Sequence, residues 1–438
     1  MSLAWSLYRA VAPCLGALAP AARYVASPSE RRLWTERLGE VDWPGGTHAW
    51  IHAASLGESL GVGPLLRELV ALQPGARVWL TATTRAGRAR LGGVSEHVSL
   101  APMDAPQSAR RFFDGLQPQR VFLMETELWP HWLLRARSDG IPVVVVSARL
   151  SPRSVRHYAR LGASFRSLVG GLSGVLCQSP ADAERWLRIG APPARTAVVG
   201  NLKNDALPEP ALMRGAARAA LDLDRDRPLL VLGSVRPGEV RLLARVWRAL
   251  PPELRARWQV VAVPRHPRAS EDLAREARDV GIVLLRRAER DARGAGATAP
   301  VSAHGAVPVP QSADEWRWDD RLGVLASYYA VADLAFVGGT LQPYGGHNPL
   351  EPAACGAAVI VGPHFESQRP AVAALTARDA IVVVPDPAGL LEALRSLLAE
   401  DARRGALGLA ALAVARGERG GAKRALAQLA AWRLWPAT

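Results

Sequence analysis

A turn in the first quarter of the chain places an acidic side chain where a parallel sheet would bind a ligand. The stretch WIHAASLGES, residues 50–59, runs from apolar residues into a small-residue turn that leads to Glu58. In open α/β sheets, ligands bind in the crevice at the carboxyl ends of the strands. Glu58 in that crevice could act as a general base. The alternative is structural, because Ser55 and Glu58 have the spacing of a capping box at the start of a helix.

Two further motifs in the first half add polar side chains after predicted strands. METELWP supplies Glu125 and Glu127, and SARLS supplies Ser147 and Arg149. A carboxylate that an arginine positions in a desolvated cleft can take a proton from a hydroxyl group. The spacing of the His, Asp, Glu and Ser residues indicates neither a metal site nor a Ser-His-Asp triad. The first half therefore predicts general-base chemistry and no metal.

A glycine-rich segment in the second half has the features of a nucleotide-binding loop. Residues 336–363 contain a predicted strand, the glycine pair Gly338 and Gly339, a second glycine-rich loop, and a helix that begins near Asn348. Free backbone N–H groups of the loop and of the helix start could hold a phosphate. Glu351, within the first helical turn, is placed to accept hydrogen bonds from a ribose diol. The alternatives are that the glycines only form turns and that Glu351 only offsets the helix dipole.

Basic and hydroxyl side chains follow other predicted strands. They are Ser234 and Arg236 after 229–233, Arg265 and His266 after 258–263, and Lys203 after 196–199. Lone basic residues usually lie on a solvated surface, whereas several at one sheet edge indicate a site for a polyanion.

Short apolar runs alternate with helical patterns along the chain, as in α/β proteins with buried parallel strands. Two successive series of such units predict two Rossmann-like domains that face a cleft. The predicted strands are 48–53, 77–82, 120–124, 142–147, 173–177 and 196–199, then 229–233, 258–263, 282–285, 334–337, 358–361 and 381–384. We expect an N-terminal segment at 1–40 and domains at 41–205 and 206–438. A polar linker is predicted at 201–211, and a surface insertion rich in Gly, Ala and Pro at 289–315.

The composition fits a globular protein in a reducing compartment such as the cytoplasm. The chain has 438 residues, 49% of them hydrophobic, and its three widely separated cysteines predict no disulfide framework. The net charge of +14 favours anionic partners such as phosphates, nucleotides or an acidic membrane surface. Because no recognised nucleic-acid-binding module is present, we expect no nucleic-acid partner.

The N-terminal 40 residues predict a segment that lies on a membrane surface. Residues 3–25 are apolar, but two arginines and two prolines interrupt them, so they make a poor transmembrane helix. Arg31, Arg32 and Arg37 follow among apolar residues, and this order is typical of an amphipathic membrane anchor. The alternative is an ordinary amphipathic helix packed on its own domain.

In their order and spacing, these motifs resemble those of the 3-deoxy-D-manno-octulosonic acid (Kdo) transferases of Gram-negative lipopolysaccharide synthesis. The resemblance runs from about residue 5 to residue 430 and rests most on SLGE and HNPLEP. It implies an α/β glycosyltransferase of GT-B fold, with an acceptor-binding domain at 41–205 and a CMP-sugar-binding domain at 206–438. The implied reaction moves Kdo from CMP-Kdo to a bisphosphorylated, tetraacyl lipid A precursor (lipid IVA), with inversion and without a metal or other cofactor. The implied location is the cytoplasmic face of the inner membrane, with the protein peripheral or anchored by its N-terminus.

The resemblance also implies roles for individual residues. Glu58 matches the general base that deprotonates the acceptor hydroxyl, and Glu127 belongs to the same acceptor-side motif. The positions that match the CMP-holding part of the family are Arg265, Gly338, Gly339, Asn348 and Glu351, with Glu351 on the ribose. Ser234 and Lys203 are further candidates for binding the phosphate or the Kdo carboxylate.

Two other functions are compatible with parts of the sequence. A GT-B transferase that uses another nucleotide sugar, such as the lipid A disaccharide synthase, does not share the pair SLGE and ETELWP. A non-catalytic basic protein of the membrane surface predicts no nucleotide affinity. The chain departs from the family pattern at 235–236, 323–325 and 365–367, so no nucleotide contacts are carried over to those positions.

Overall fold

Two compact units make up the chain. The computed structural model describes residues 3–21, 26–43, 45–286 and 312–436. One unit comprises Met1–Ala206 with Glu418–Thr438, and the other Leu207–Gly417. Each contains a seven-stranded, wholly parallel sheet. The predicted pair of Rossmann-like α/β domains is therefore confirmed.

The first unit has the strand order β3-β2-β1-β4-β5-β6-β7. Its strands are β1 (Ala49–His52), β2 (Val78–Ala82), β3 (Val98–Leu100), β4 (Val121–Met124), β5 (Val143–Ala148), β6 (Gly174–Cys177) and β7 (Thr196–Val198). Its helices are α1 (Leu3–Leu18), α2 (Pro28–Arg37), α3 (Leu56–Ser59), α4 (Val62–Leu72), α5 (Arg85–Gly92), α6 (Pro106–Leu116), α7 (Pro130–Ser138), α8 (Pro152–Ala159), α9 (Gly162–Gly170) and α10 (Pro180–Arg188). Strands β1, β2, β4, β5 and β6 are buried along their whole length, as strands covered by helices on both faces are.

The second unit has the strand order β10-β11-β9-β8-β12-β13-β14. Its strands are β8 (Leu229–Val235), β9 (Gln259–Pro264), β10 (Val283–Arg286), β11 (Glu315–Trp318), β12 (Leu334–Val337), β13 (Ala358–Val361) and β14 (Val382–Val383). Its helices are α11 (Arg214–Ala220), α12 (Glu239–Ala249), α13 (Pro252–Ala256), α14 (Ser270–Arg278), α15 (Leu325–Tyr329), α16 (Leu350–Ala354), α17 (Arg369–Thr376), α18 (Pro387–Ala399) and α19 (Asp401–Gly417).

Two strands were absent from the sequence prediction. β3 is only three residues long, too short for a hydrophobic pattern to mark. β11, with the sequence EWRW, buries its two tryptophans and leaves its charged residues partly exposed. The predicted insertion at 289–315 overlaps the start of this strand, and its residues 289–311 lie outside the described part of the chain.

The end of the chain returns to the first unit, which corrects the predicted second domain at 206–438. Helix α20 (Gly421–Ala431) buries Ala422, Ala425 and Leu429 in the same core cluster as β1 and α4. Asp205 accepts the N–H of Ala422 at 2.6 Å, and Trp435 donates to the Leu69 carbonyl at 3.0 Å. Apolar burial therefore draws residues 418–436 to the first sheet, and the second unit ends at 417.

The N-terminal helices pack on the first unit. Tyr8 donates to the carboxylate of Asp104, and Gln107 Nε2 donates to the Pro13 carbonyl at 3.3 Å. Of the predicted basic cluster, Arg31 and Arg32 are exposed. Among the residues described, no helix is long and apolar enough to span a bilayer.

Arg37 corrects part of the predicted membrane-surface cluster. Its guanidinium is directed into the fold, where it donates to the carbonyls of Ala101 (3.3 Å) and Thr83. Arg37 therefore serves the fold of the first unit, and only Arg31 and Arg32 of the three remain as surface charges.

Candidate active site

The carboxyl edge of the first sheet brings together the three acidic residues that the sequence singled out. β1 and β4 are parallel neighbours, with Ile51 opposite Phe122. The turn after β1 leads to Glu58, and the turn after β4 carries Glu125 and Glu127. Because parallel neighbours end at the same edge, their following side chains meet there.

Glu58 has the capping geometry and also the electrostatics of a base. Ser55 Oγ accepts the N–H of Glu58 at 3.3 Å, and Glu58 Oε2 accepts the N–H of Ala54 at 2.6 Å. This is a reciprocal cap in which the glutamate binds one residue earlier than in the usual capping box. Burial, followed by repulsion from Glu127 and Glu125, raises the pKa of Glu58 to about 7. The structural alternative is thus correct, and it does not exclude the catalytic one.

Lys203 supplies the cation of this cluster. Its ammonium group forms an ion pair with Glu125, and both side chains are largely buried. Ser147 positions the lysine's segment, because its Oγ accepts the N–H of Leu202 at 3.3 Å. The sequence interpretation named Arg149 as the positioning cation, but Arg149 is exposed and forms no ion pair within the described residues. Lys203, proposed from sequence for the phosphate or the Kdo carboxylate, lies in the first unit, within the predicted domain at 41–205.

Glu127 is held by an indole and faces a buried histidine. Trp129 Nε1 donates to Glu127 Oε2 at 2.8 Å, and His52 Nε2 lies 3.6 Å from the same oxygen. His52 Nδ1 lies 2.9 Å from Thr81 Oγ1. Burial lowers the pKa of His52, although Glu127 opposes this, so the imidazole is neutral at pH 7.

A mostly apolar pocket of about 230 Å³, whose lining also includes Arg37 and Asp104, lies at the same edge. Its lining includes Met103, Trp129 and Trp132, from the segment after β3 and the start of α7. Because Trp129 also donates to Glu127, the pocket adjoins the carboxylate cluster.

In the second unit, a buried carboxylate shapes the glycine loop after β12. Glu239 Oε2 accepts the N–H of Gly339 at 2.7 Å, and Oε1 accepts those of Thr340 and Leu341, both at 2.9 Å. The N–H of Gly338 donates to the Gly233 carbonyl at 2.8 Å.

The N–H groups of Gly338 and Gly339 are not free to hold a phosphate, because both already donate within the protein. The two glycines allow the backbone of this loop to lie close to neighbouring backbone atoms. A Cβ on Gly338 would lie 2.4 Å from the Ser234 carbonyl oxygen, and Gly339 has φ +73°. The side chain of Asn348 also binds a backbone group, because its Oδ1 accepts the N–H of Leu350 at 3.1 Å.

Cationic side chains converge beside this loop. Arg265 follows β9, and its N–H donates to the Val235 carbonyl at 3.1 Å, which ties it to the end of β8. Arg236 lies over the ring of Tyr344, 4.3 Å from its centroid. Burial, then Arg265 and Arg236, lower the pKa of His347 to about 4, so its imidazole is neutral at pH 7. This edge therefore carries a positive field suited to an anion.

Glu351 lies near Arg265 in this cluster. Burial raises the pKa of Glu351 to about 7, and Arg265 opposes that rise. Ser234 lies at a bulge of β8, with φ +56°. Among the described residues, no group of three or more His, Cys, Asp or Glu side chains is arranged to hold a metal ion.

Comparison with known proteins identifies the family. Residues 32–206 match the family described as 3-deoxy-D-manno-octulosonic-acid transferase (kdotransferase). The 3-deoxy-D-manno-octulosonic acid transferase of Bordetella pertussis is 36% identical over 394 residues, 87% of each chain. That of Haemophilus influenzae is 30% identical over 410 residues, 92% of each chain. The chain belongs to the Kdo transferase family.

This Kdo transferase also resembles solved structures in fold. The UDP-GlcNAc 2-epimerase of Neisseria meningitidis bound to UDP-GlcNAc aligns with a TM-score of 0.58 at 13% identity, over 87% of this chain and 99% of that one. At this identity the likeness concerns the fold alone. Family membership makes the protein a glycosyltransferase that acts on Kdo, as the motifs predicted.

Sequence reasoning missed three contributors to the site. The Glu125–Lys203 pair joins residues far apart in sequence, and no spacing rule connects them. His52 was read only as part of a strand, although a buried polar residue at a strand end is a usable signal. Glu239 anchors a loop 100 residues away, and this role follows only from the fold.

Proposed function

We propose that this Kdo transferase moves Kdo from CMP-Kdo to a hydroxyl group of a tetraacyl lipid A precursor (lipid IVA). The reaction inverts the anomeric carbon, uses neither a metal nor another cofactor, and has Glu58 as its general base. The observation that carries this proposal is the position of Glu58, at the carboxyl edge of the first sheet with a pKa of about 7. Such a pKa leaves the carboxylate both ionised and basic near neutral pH.

The neighbours of Glu58 support an acceptor site in the first unit. Glu127 Oε2 is held by Trp129, while its Oε1 has no partner among the described residues and is available to a sugar hydroxyl. Lys203 neutralises Glu125 and limits the repulsion on Glu58. The apolar pocket beside Trp129 offers a surface for part of an acyl chain.

The second unit supports a donor site. CMP leaves as an anion, so the transition state needs stabilisation of negative charge more than it needs an acid. Arg265 and Arg236 supply that charge, and Glu351 is placed to accept from the ribose diol. Gly338 and Gly339 contribute by shaping the loop, and Ser234 is proposed to contact the phosphate or the Kdo carboxylate.

Transfer should depend on pH through Glu58. Only the ionised carboxylate can accept a proton, so kcat should rise tenfold per pH unit below the pKa of about 7 and level off above it. Initial rates with saturating substrates, measured from about pH 5.5 to about 8.5, check this. A flat profile over that range would contradict the assignment.

Replacing Glu351 with Ala should weaken CMP binding by about 1.5–3 kcal/mol, the range for a hydrogen bond to a charged group. Calorimetric titration measures the loss. A 2′,3′-dideoxy analogue of CMP should lose a similar amount against the native protein and nothing further against the variant, because both changes remove one interaction. Unchanged CMP affinity in the variant rules Glu351 out of the ribose site.

The same titration separates the two remaining enzyme assignments. If the donor is CMP-Kdo, CMP should bind more tightly than UDP. Tighter binding of UDP would favour a transferase that uses another nucleotide sugar.

We infer that the protein works at the cytoplasmic face of the inner membrane, held there peripherally by its N-terminal segment. The exposed Val11 and Leu18 of α1, with Arg31 and Arg32 of α2, support this inference. Cosedimentation with vesicles of anionic lipid checks it, and a protein that stays in the supernatant at low salt contradicts it.

A further inference from the structure

The segment between β5 and α10 carries positive charge without any acidic residue. From residue 140 to residue 181 the sequence contains five arginines and neither Asp nor Glu. Three of these arginines belong to α8 and its end: Arg153, Arg156 and Arg160, all exposed. None of the three forms an ion pair within the described part of the chain, whereas arginines of α10, α14, α18 and α19 pair with acidic residues three positions away.

The three arginines form one stripe. Spacings of three and four residues place them on a single helix face, with the exposed His157 among them. The opposite face carries Val155 and Tyr158, which pack against the core of the first unit. Like charges at these spacings destabilise a helix. No acidic residue of α8 offsets this repulsion, which only the helix dipole at the C-terminal turn reduces, as expected of a surface that meets an anion.

The segment that precedes the stripe is hydrogen-bonded to the turn that carries the carboxylate cluster. Arg149, the residue after β5, accepts through its carbonyl a hydrogen bond from the hydroxyl of Thr126, which lies between Glu125 and Glu127. From there the chain passes directly into α8, whose first residue is Pro152. On the inner face of the helix, burial and then the Glu127 carboxylate raise the pKa of Tyr158, so the two groups are within electrostatic reach.

We propose that Arg153, Arg156 and Arg160 bind a phosphate group of the lipid acceptor and so position the acceptor hydroxyl at Glu58. This rests on the proposed function and adds to it the group that the enzyme recognises on its acceptor. Guanidinium groups bind phosphate oxygens in bidentate fashion, which gives orientation as well as affinity. The three act as positioning residues and take no part in the transfer of the proton.

The test compares a phosphorylated acceptor with the same lipid after removal of its phosphates. The triple variant Arg153→Gln, Arg156→Gln and Arg160→Gln should raise KM for the phosphorylated lipid about tenfold. Its KM for the dephosphorylated lipid should equal that of the native protein. Lysine at the same three positions should restore part of the loss, since the charge returns without the bidentate geometry.

A matched control removes the same charge elsewhere in the first unit. Arg67, Arg90 and Arg188 are exposed, form no ion pair within the described residues, and lie on α4, α5 and α10. Their glutamine variant should leave both KM values unchanged. An equal rise in KM for both lipids, or no rise in the stripe variant, overturns the proposal.

Two further measurements separate the remaining outcomes. If the stripe variant loses binding to phosphatidylglycerol vesicles while the KM ratio of the two lipids in neutral detergent stays native, the stripe binds the bilayer and the proposal is wrong. Direct binding of the two lipids without CMP-Kdo distinguishes failure of the proposed function. If the native protein binds the phosphorylated lipid more tightly, the stripe variant loses that preference, and no Kdo is transferred, the phosphate site is correct and the proposed reaction is wrong.

Discussion

Replacing Glu58 with Gln should lower kcat for Kdo transfer by about 10²–10⁴-fold, the usual contribution of a general base. The amide oxygen of glutamine can still accept the N–H of Ala54, which the carboxylate now accepts at 2.6 Å. The turn should therefore survive, while the side chain can no longer take a proton from the acceptor. Rates at saturating CMP-Kdo and lipid acceptor measure the effect, and CMP affinity should stay unchanged.

Ser55→Ala provides the matched control, because it removes the other half of the cap and leaves the base. It should cost about 1 kcal/mol of stability, as the loss of a helix N-cap does, and change kcat little. Together the two variants separate capping from catalysis. Substantial transfer by the glutamine variant, or a larger loss of kcat in the alanine variant, would place the base elsewhere.

Replacing Glu239 with Gln should destabilise the second unit by about 2–6 kcal/mol. Each oxygen of the native carboxylate accepts two backbone N–H groups, with Arg236 and Gly339 sharing Oε2. The amide nitrogen of glutamine would face two N–H donors that it cannot accept, and an unsatisfied buried donor costs about 1–3 kcal/mol. Urea denaturation measures the loss, and CMP affinity should fall with it because the glycine loop loses its anchor.

Glu276→Gln is the control for this prediction. Glu276 accepts the N–H of Gly238 at 2.8 Å and that of Arg241 at 3.2 Å, but it is partly exposed. Water can replace a lost acceptor there, so this variant should lose less stability and keep its CMP affinity. Equal losses in the two variants would contradict the role given to Glu239.

Features set by local sequence could be predicted. The apolar runs that became β1, β4, β5 and β8 are continuous enough to mark buried parallel strands. The turn that ends at Glu58 follows from small residues after such a strand, and its cap follows from the Ser-x-x-Glu spacing. In each unit, the polar residues of the candidate site therefore appeared in the sequence as residues that follow strands.

Features set by tertiary contacts could not be predicted. The pairing of Lys203 with Glu125 and the return of α20 to the first sheet depend on which apolar faces meet in the fold. In the sequence, the glycine pair after β12 is typical of a loop whose backbone N–H groups are free. Only the fold reveals that Glu239 accepts the N–H groups of Gly339, Thr340 and Leu341.

The most direct test of the central claim is the transfer itself. Purified full-length protein would be mixed with CMP-Kdo generated in situ and the tetraacyl lipid A precursor in detergent, and the mass of the lipid product would be measured. We expect a lipid heavier by one or more Kdo residues. Folded protein that binds CMP and leaves the mass of the lipid unchanged would rule out the proposed function.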